Sequence, residues 1–163
     1  ILENAIELLV NAKRVEFYAF GGSAPVAMDG QHKFFRLKIP SSYISDPHLQ
    51  FMSANSLEKN DVVVAISQSG TTAALIDSVK IVQKNGAKVI GIMPGNTPLA
   101  NICDFPLTID VGVNNRISKP LTSRIAYIAV IDVLTMGVAQ LKPEAQDHLY
   151  NIADSQRSLK IDN

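Results

Sequence analysis

The chain predicts an α/β fold: a three-layer αβα sandwich built on a five-stranded, parallel, doubly wound sheet. Three observations point there. Strand-like and helix-like patterns alternate from end to end, with no internal repeat and no low-complexity linker. The strongest apolar run, Asp61–Ile66 (DVVVAI), is unbroken and rich in β-branched residues, as a central parallel strand covered on both faces should be. The 163 residues are 47% hydrophobic and 18% charged, enough to bury one core and too apolar for a disordered chain. Residues 1–163 therefore read as one domain.

Each element has its own signal. Residues 1–13 carry Ile1, Leu2, Ala5, Ile6, Leu9 and Val10 at helical spacing, and 15–20 form a first strand stopped by Gly21-Gly22. Residues 23–37 return to helix, with Ser23 as N-cap, Pro25 in the first turn and Lys33, Arg36 and Lys38 near the end. Residues 40–45 are a weak second strand, and 46–55 a short helix opened by Asp46-Pro47. After the third strand, 71–84 is a helix with Ala74, Leu75, Val79 and Val82 inward and Gly86 as its stop. A fourth strand over 88–93, a turn and short helix over 94–102 and a fifth strand over 105–110 complete the sheet.

The long helix over 116–141 has two apolar faces. Leu121, Ile125, Ile128, Ile131, Leu134, Val138 and Leu141 line one, and Tyr127, Val130, Val133 and Met136 the other. One face is expected on the sheet and the other against a partner subunit, giving a homodimer or homotetramer. The polar stretch from Pro143 reads as a solvated last helix.

Composition removes several functions. Fifteen basic and fifteen acidic residues give no net charge, so a grip on DNA by this chain alone is not expected. The longest apolar runs read as far too short to span a bilayer, residues 1–20 lack a signal-peptide pattern, and no membrane partner is expected. Cys103 is the single cysteine, which rules out an internal disulfide and fits a reducing cytoplasm. His32, His48 and His148 are too scattered for a metal site, so neither metal nor cofactor is expected. The chain opens in helical pattern at Ile1 without an initiator Met, which reads as a piece of a longer protein.

Doubly wound sheets bind ligands beyond the carboxyl ends of their strands, near the switch in strand order. Ser67-Gln68-Ser69-Gly70-Thr71-Thr72 sits there, between the strongest strand and a helix. Gly70 would let the backbone approach a phosphate, while hydroxyls and free N–H groups at the helix start donate to it without any lysine. An ordinary capped turn needs only one of these hydroxyls. Gly21-Gly22-Ser23 follows strand one, lacks the GxGxxG and P-loop spacings, and would set Ser23 opposite Ser67 and Ser69 over one small ligand.

These residues resemble a known family. Gly-Gly-Ser after strand one, SQSGTT after strand three and the following GAKVIGI are similar to SIS (sugar isomerase) domains of phosphosugar isomerases and sensors. HKFFRLKIP, DVVVAISQSGTT, TPLANICDFPLTIDV and TSRIAYIAVIDVLTMGVAQ further resemble the C-terminal domain of RpiR-family regulators, in particular the HexR-like branch. The resemblance implies the SIS fold and a sensor whose DNA contacts come from an N-terminal helix-turn-helix domain outside this sequence. It implies a phosphorylated sugar or sugar acid as ligand, 2-keto-3-deoxy-6-phosphogluconate in the HexR-like branch. By position it carries phosphosugar contacts onto Ser23, Ser67, Gln68, Ser69 and Thr72. Thr71 stands where enzymatic members commonly have a carboxylate, and no catalytic residue is assigned.

The candidate ligand-binding set is therefore Gly22, Ser23, Ser67, Gln68, Ser69, Gly70, Thr71 and Thr72, joined by Lys119 and Arg124 for a ligand carboxylate. Arg116 and Ser123 lie in the same region, and Asp132 interrupts the apolar pattern beyond it. The competing reading is an aldose–ketose isomerase. It needs a base that neither loop offers, so one such as His148 would have to come from a second subunit. A nucleotide-binding module lacks its glycine fingerprint.

Overall fold

The computed structural model describes residues 1–112 and 118–157. In chain order its elements are α1 (Leu2–Val10), β1 (Arg14–Ala19), α2 (Ala24–Arg36), β2 (Ser41–Ile44), α3 (Pro47–Ser56) and β3 (Asp61–Ile66). There follow α4 (Ala73–Lys84), β4 (Lys88–Met93), α5 (Pro98–Ile102), β5 (Phe105–Thr108), α6 (Ser118–Leu141) and α7 (Pro143–Arg157). One turn of 3-10 helix, Gly21–Ser23, joins β1 to α2.

All five strands belong to one parallel sheet in the order β2-β1-β3-β4-β5. The chain winds outward from β1 to β2, then crosses back over β1 to start β3. The switch therefore lies between β1 and β3, which pair directly from Arg14↔Asp61 to Ala19↔Ile66. Their carboxyl ends, and the loops that follow, come out side by side.

β3 is buried at every position. Its period of two sends Val62, Val64 and Ile66 into one core with Leu9, Phe34, Ile131 and Leu134, and Val63 and Ala65 into the other with Ala54, Leu75, Val79 and Leu99. α1, α2 and α6 thus cover one face, and α3, α4 and α5 the other. Each fully buried Val, Leu or Ile contributes ~1.5–3 kcal/mol to this arrangement. α2 sits low on β1 because Gly30 has no side chain: a Cβ there would lie 2.6 Å from Cε1 of Phe17. Two short helices are set by their caps. Asp46 accepts from the Leu49 N–H at 2.9 Å ahead of Pro47, and Thr97 from the Ala100 N–H at 3.3 Å ahead of Pro98.

Three sequence readings are corrected. Ser23 does not cap α2: its backbone is in the right-handed helical region, and its side chain makes no capping bond. Ala74 is exposed, because the inward face of α4 runs through Leu75, Ser78, Val79 and Val82. In α6 the core face is Ser123, Tyr127, Ile131, Leu134 and Val138, while Leu121, Ile125, Val133, Met136 and Leu141 are exposed. Apolar residues all round that helix left periodicity nothing to select, so Tyr127 was placed on the wrong face.

The stretch Leu121–Leu141 is also long and apolar enough to cross a membrane by length and composition. Uninterrupted runs conceal this because Arg124 and Asp132 break them. Tyr127, Ile131, Leu134 and Val138 nonetheless pack into the sheet-side core. Asp132 pairs with Lys33, which also donates to Asp29 at 2.6 Å, tying α6 to α2.

Candidate functional site

A cleft of about 170 Å3 opens at the carboxyl ends of β1 and β3. Its polar lining is Ser23, Ser67, Gln68, Ser69 and Thr72; Gly22, Phe20, Ile66 and Leu75 complete it. The two loops thus share one cavity, with Ser23 opposite the Ser67 segment. It is smaller than the ~300–1,000 Å3 pockets that enclose drug-sized ligands, a scale suited to a small polar metabolite. A larger groove of about 520 Å3 runs along β2 and α3, but its charged lining residue is Asp46, the wrong sign for an anion.

The hydroxyls are placed by local backbone demands. Ser67 is 5% exposed and its Oγ accepts from the Gly70 N–H at 3.0 Å. Ser69 Oγ accepts from the Thr71 N–H at 3.3 Å. Two of the N–H groups expected to be free are therefore held by the loop's own hydroxyls. A serine oxygen that accepts still has its proton to donate, so both remain donors toward a bound anion. Thr72 stands at the N-cap position of α4 without a capping bond, as Ser23 does at α2. Both helix starts thus face the cleft with their positive dipole ends and uncommitted hydroxyls.

Gly70 and Thr71 lie outside the lining of the cleft. Gly70 adopts φ +64°, where L side chains are strained, and a Cβ there would lie 2.3 Å from Thr97 Oγ1. It is buried, lies outside the cleft lining, and accepts from the Leu99 N–H at 3.0 Å. Its close approach is to the α5 cap, not to the cavity. Thr71 is exposed and also outside the lining.

Arg124 lies next to the cleft. Its guanidinium lies against Gly22: a Cβ there would sit 3.4 Å from Arg124 Nη2, ordinary van der Waals contact. Arg124, with Ser123 and Tyr127, lines a small hollow that shares Gly22, Ser23 and Gln68 with the cleft. It is the one charged residue among the described residues lining either space. Arg116 and the side chain of Lys119 lie outside the described residues. Sequence reasoning missed Tyr127 here. The signal was its spacing, three and four residues after Arg124 and Ser123, which puts all three on one helix face.

No Asp, Glu or His lines the cleft among the described residues, and no group of three or more metal-ligating side chains occurs among them. The SIS domain profile matches residues 8–137. The chain belongs to the SIS domain family. It is 36% identical over 156 residues to the HTH-type transcriptional regulator HexR of Pseudomonas aeruginosa, covering 95% of this chain and 55% of that protein. With HexR of Escherichia coli it shares 35% over 162 residues, 99% of this chain and 56% of that one. This SIS chain thus spans about half the length of those curated relatives. Its fold matches the NanR protein of Vibrio vulnificus, solved in complex with ManNAc-6P, at a TM-score of 0.89 with 22% identity, over 99% of this chain and 61% of that one.

Proposed function

We propose that this SIS domain is the ligand-sensing part of a cytoplasmic bacterial transcriptional regulator of sugar metabolism. It binds a phosphorylated sugar or sugar acid, with 2-keto-3-deoxy-6-phosphogluconate as first candidate, and does not turn it over. One observation carries the reading: two helix-start hydroxyls, Ser23 and Thr72, are not used as caps and line one cleft with Ser67 and Ser69. Hydroxyls, amide and helix dipoles suit a phosphoryl group. Arg124, in the hollow adjoining the cleft, supplies a charge-assisted partner for a carboxylate, which favours an acid over a neutral phosphosugar.

The likeness to two HexR regulators supports the regulatory role, and the ligand of NanR supports a phosphosugar. In this reading DNA is bound by a helix-turn-helix domain in the longer protein. A second copy covers the exposed α6 residues Leu121, Ile125, Val133 and Met136, and ligand occupancy shifts the balance of dimer geometries. A typical coupling of about 1–3 kcal/mol changes operator affinity roughly 5–150-fold.

The alternative, an aldose–ketose isomerase, is favoured by the family and opposed by the absence of a carboxylate or imidazole in the described lining. A thermal-shift panel of central-carbon phosphates, each beside its unphosphorylated parent, tests the proposal. Stabilisation confined to phosphorylated acids supports it. Turnover of fructose 6-phosphate or arabinose 5-phosphate by the purified chain replaces it with the alternative.

A further inference from the structure

Adjoining the cleft, the small hollow lined by Ser123, Arg124 and Tyr127 has a volume of about 10 Å3. That is the lower edge of the ~10–15 Å3 that one water needs. Two polar atoms of its lining residues are buried without a protein partner: Arg124 Nε and Tyr127 Oη. Tyr127 is 1% exposed, so its hydroxyl is out of direct contact with bulk solvent. Buried polar groups in folded proteins are rarely left unpaired, and ordered water is the usual partner when protein atoms are not. The chemistry is selective. Nε only donates, whereas a phenol donates and accepts, so whatever lies between them must accept from one and exchange with the other. A water does both, a cation does neither for Nε, and the space is too small for a carboxylate.

We propose that the hollow is a fixed water site whose water joins Tyr127 Oη to Arg124 Nε. Tyr127 is then a positioning residue. The guanidinium is planar, so a bond fixed at Nε sets the direction of both Nη groups, of which Nη2 lies beside Gly22. Burial first, and the charge of Asp110 second, push the Tyr127 phenol up to about 12, so it is a neutral donor throughout the physiological range. The water follows from this chain's own groups; its effect on ligand rests on the phosphosugar reading above.

Melting of wild type, Tyr127→Phe, Arg124→Lys and the double variant tests it. Phe keeps the ring and removes Oη, while Lys keeps the charge and removes Nε. Tyr127→Phe should lower Tm by about 2–4 °C, the scale of one lost hydrogen bond in a chain of this size. In the Arg124→Lys background the same substitution should cost less than half as much. A Tyr127→Phe protein melting at or above wild type would show that the hydroxyl was orphaned. An equal drop in both backgrounds would show that nothing is shared. Either result overturns the proposal.

Titration with 2-keto-3-deoxy-6-phosphogluconate should show roughly three- to tenfold weaker binding by Tyr127→Phe. Equal affinity would remove the positioning role. A wild type that binds neither this acid nor any other phosphorylated sugar in the panel would end the phosphosugar reading and leave the melting cycle to decide the water.

Discussion

Gly70 and Thr97 are locked together: the glycine turns at φ +64° where any Cβ would lie 2.3 Å from the threonine Oγ1. That contact fixes the 67–72 loop against α5, whose first turn Thr97 caps. Gly70→Ala adds both backbone strain and a clash, so it should cost about 2–4 kcal/mol in denaturant unfolding. Ligand binding should fall with it, because Ser67 Oγ and the Gly70 N–H lose their register. Unchanged unfolding would mean the loop is not held by this contact.

Asp104 organises the other end of the sheet. Its carboxylate accepts from Lys88 Nζ at 2.7 Å, the Val89 N–H at 3.0 Å and Gln83 Nε2 at 3.1 Å. Burial alone would raise its pKa, but these donors outweigh burial and hold it below the usual carboxylate value. A lowered folded pKa gives stability that is present above the unfolded value, ~3.9, and lost as pH falls through the folded one. Asp104→Asn should therefore cost about 1 kcal/mol at pH 7, with the gap to wild type closing below about pH 4. A gap independent of pH would contradict the ionic account.

The exposed stripe on α6 predicts association. Ile125 is 72% exposed, so Ile125→Glu should leave the monomer fold and its circular dichroism unchanged. Light scattering should show wild type as a dimer or tetramer and Ile125→Glu as a smaller species. Identical masses would place the subunit contact elsewhere.

The sheet was largely legible in the sequence, because a β-branched run such as Asp61–Ile66 has few other ways to be buried. Asp46-Pro47 likewise announced α3 with its cap. The faces of α6 were not legible: a helix apolar on all sides gives the same pattern whichever side meets the sheet. At the cleft, residue type located the loops, but not which hydroxyls serve as caps. Ser23 looks like a cap in sequence, and neither it nor Thr72, which stands at the N-cap position of α4, makes a capping bond. Gly70 was read as making room for a ligand, when it makes room for Thr97.

Arg124 gives a selectivity prediction. Arg124→Ala should weaken binding of a phosphorylated sugar acid by about 1.5–3 kcal/mol, the worth of a hydrogen bond to a charged group. A neutral phosphosugar should lose much less. Isothermal titration with the acid and a neutral phosphosugar of similar size reads the difference. Equal losses would assign Arg124 to the phosphate instead.

In the proposed function Ser23 and Ser67 grip one phosphoryl group from neighbouring strand ends. Calorimetric titration of 2-keto-3-deoxy-6-phosphogluconate into wild type, Ser23→Ala and Ser67→Ala measures this most directly. Each variant should remain folded and bind at least about tenfold more weakly, for the loss of one charge-assisted hydrogen bond. Wild-type affinity in both variants would contradict the claim.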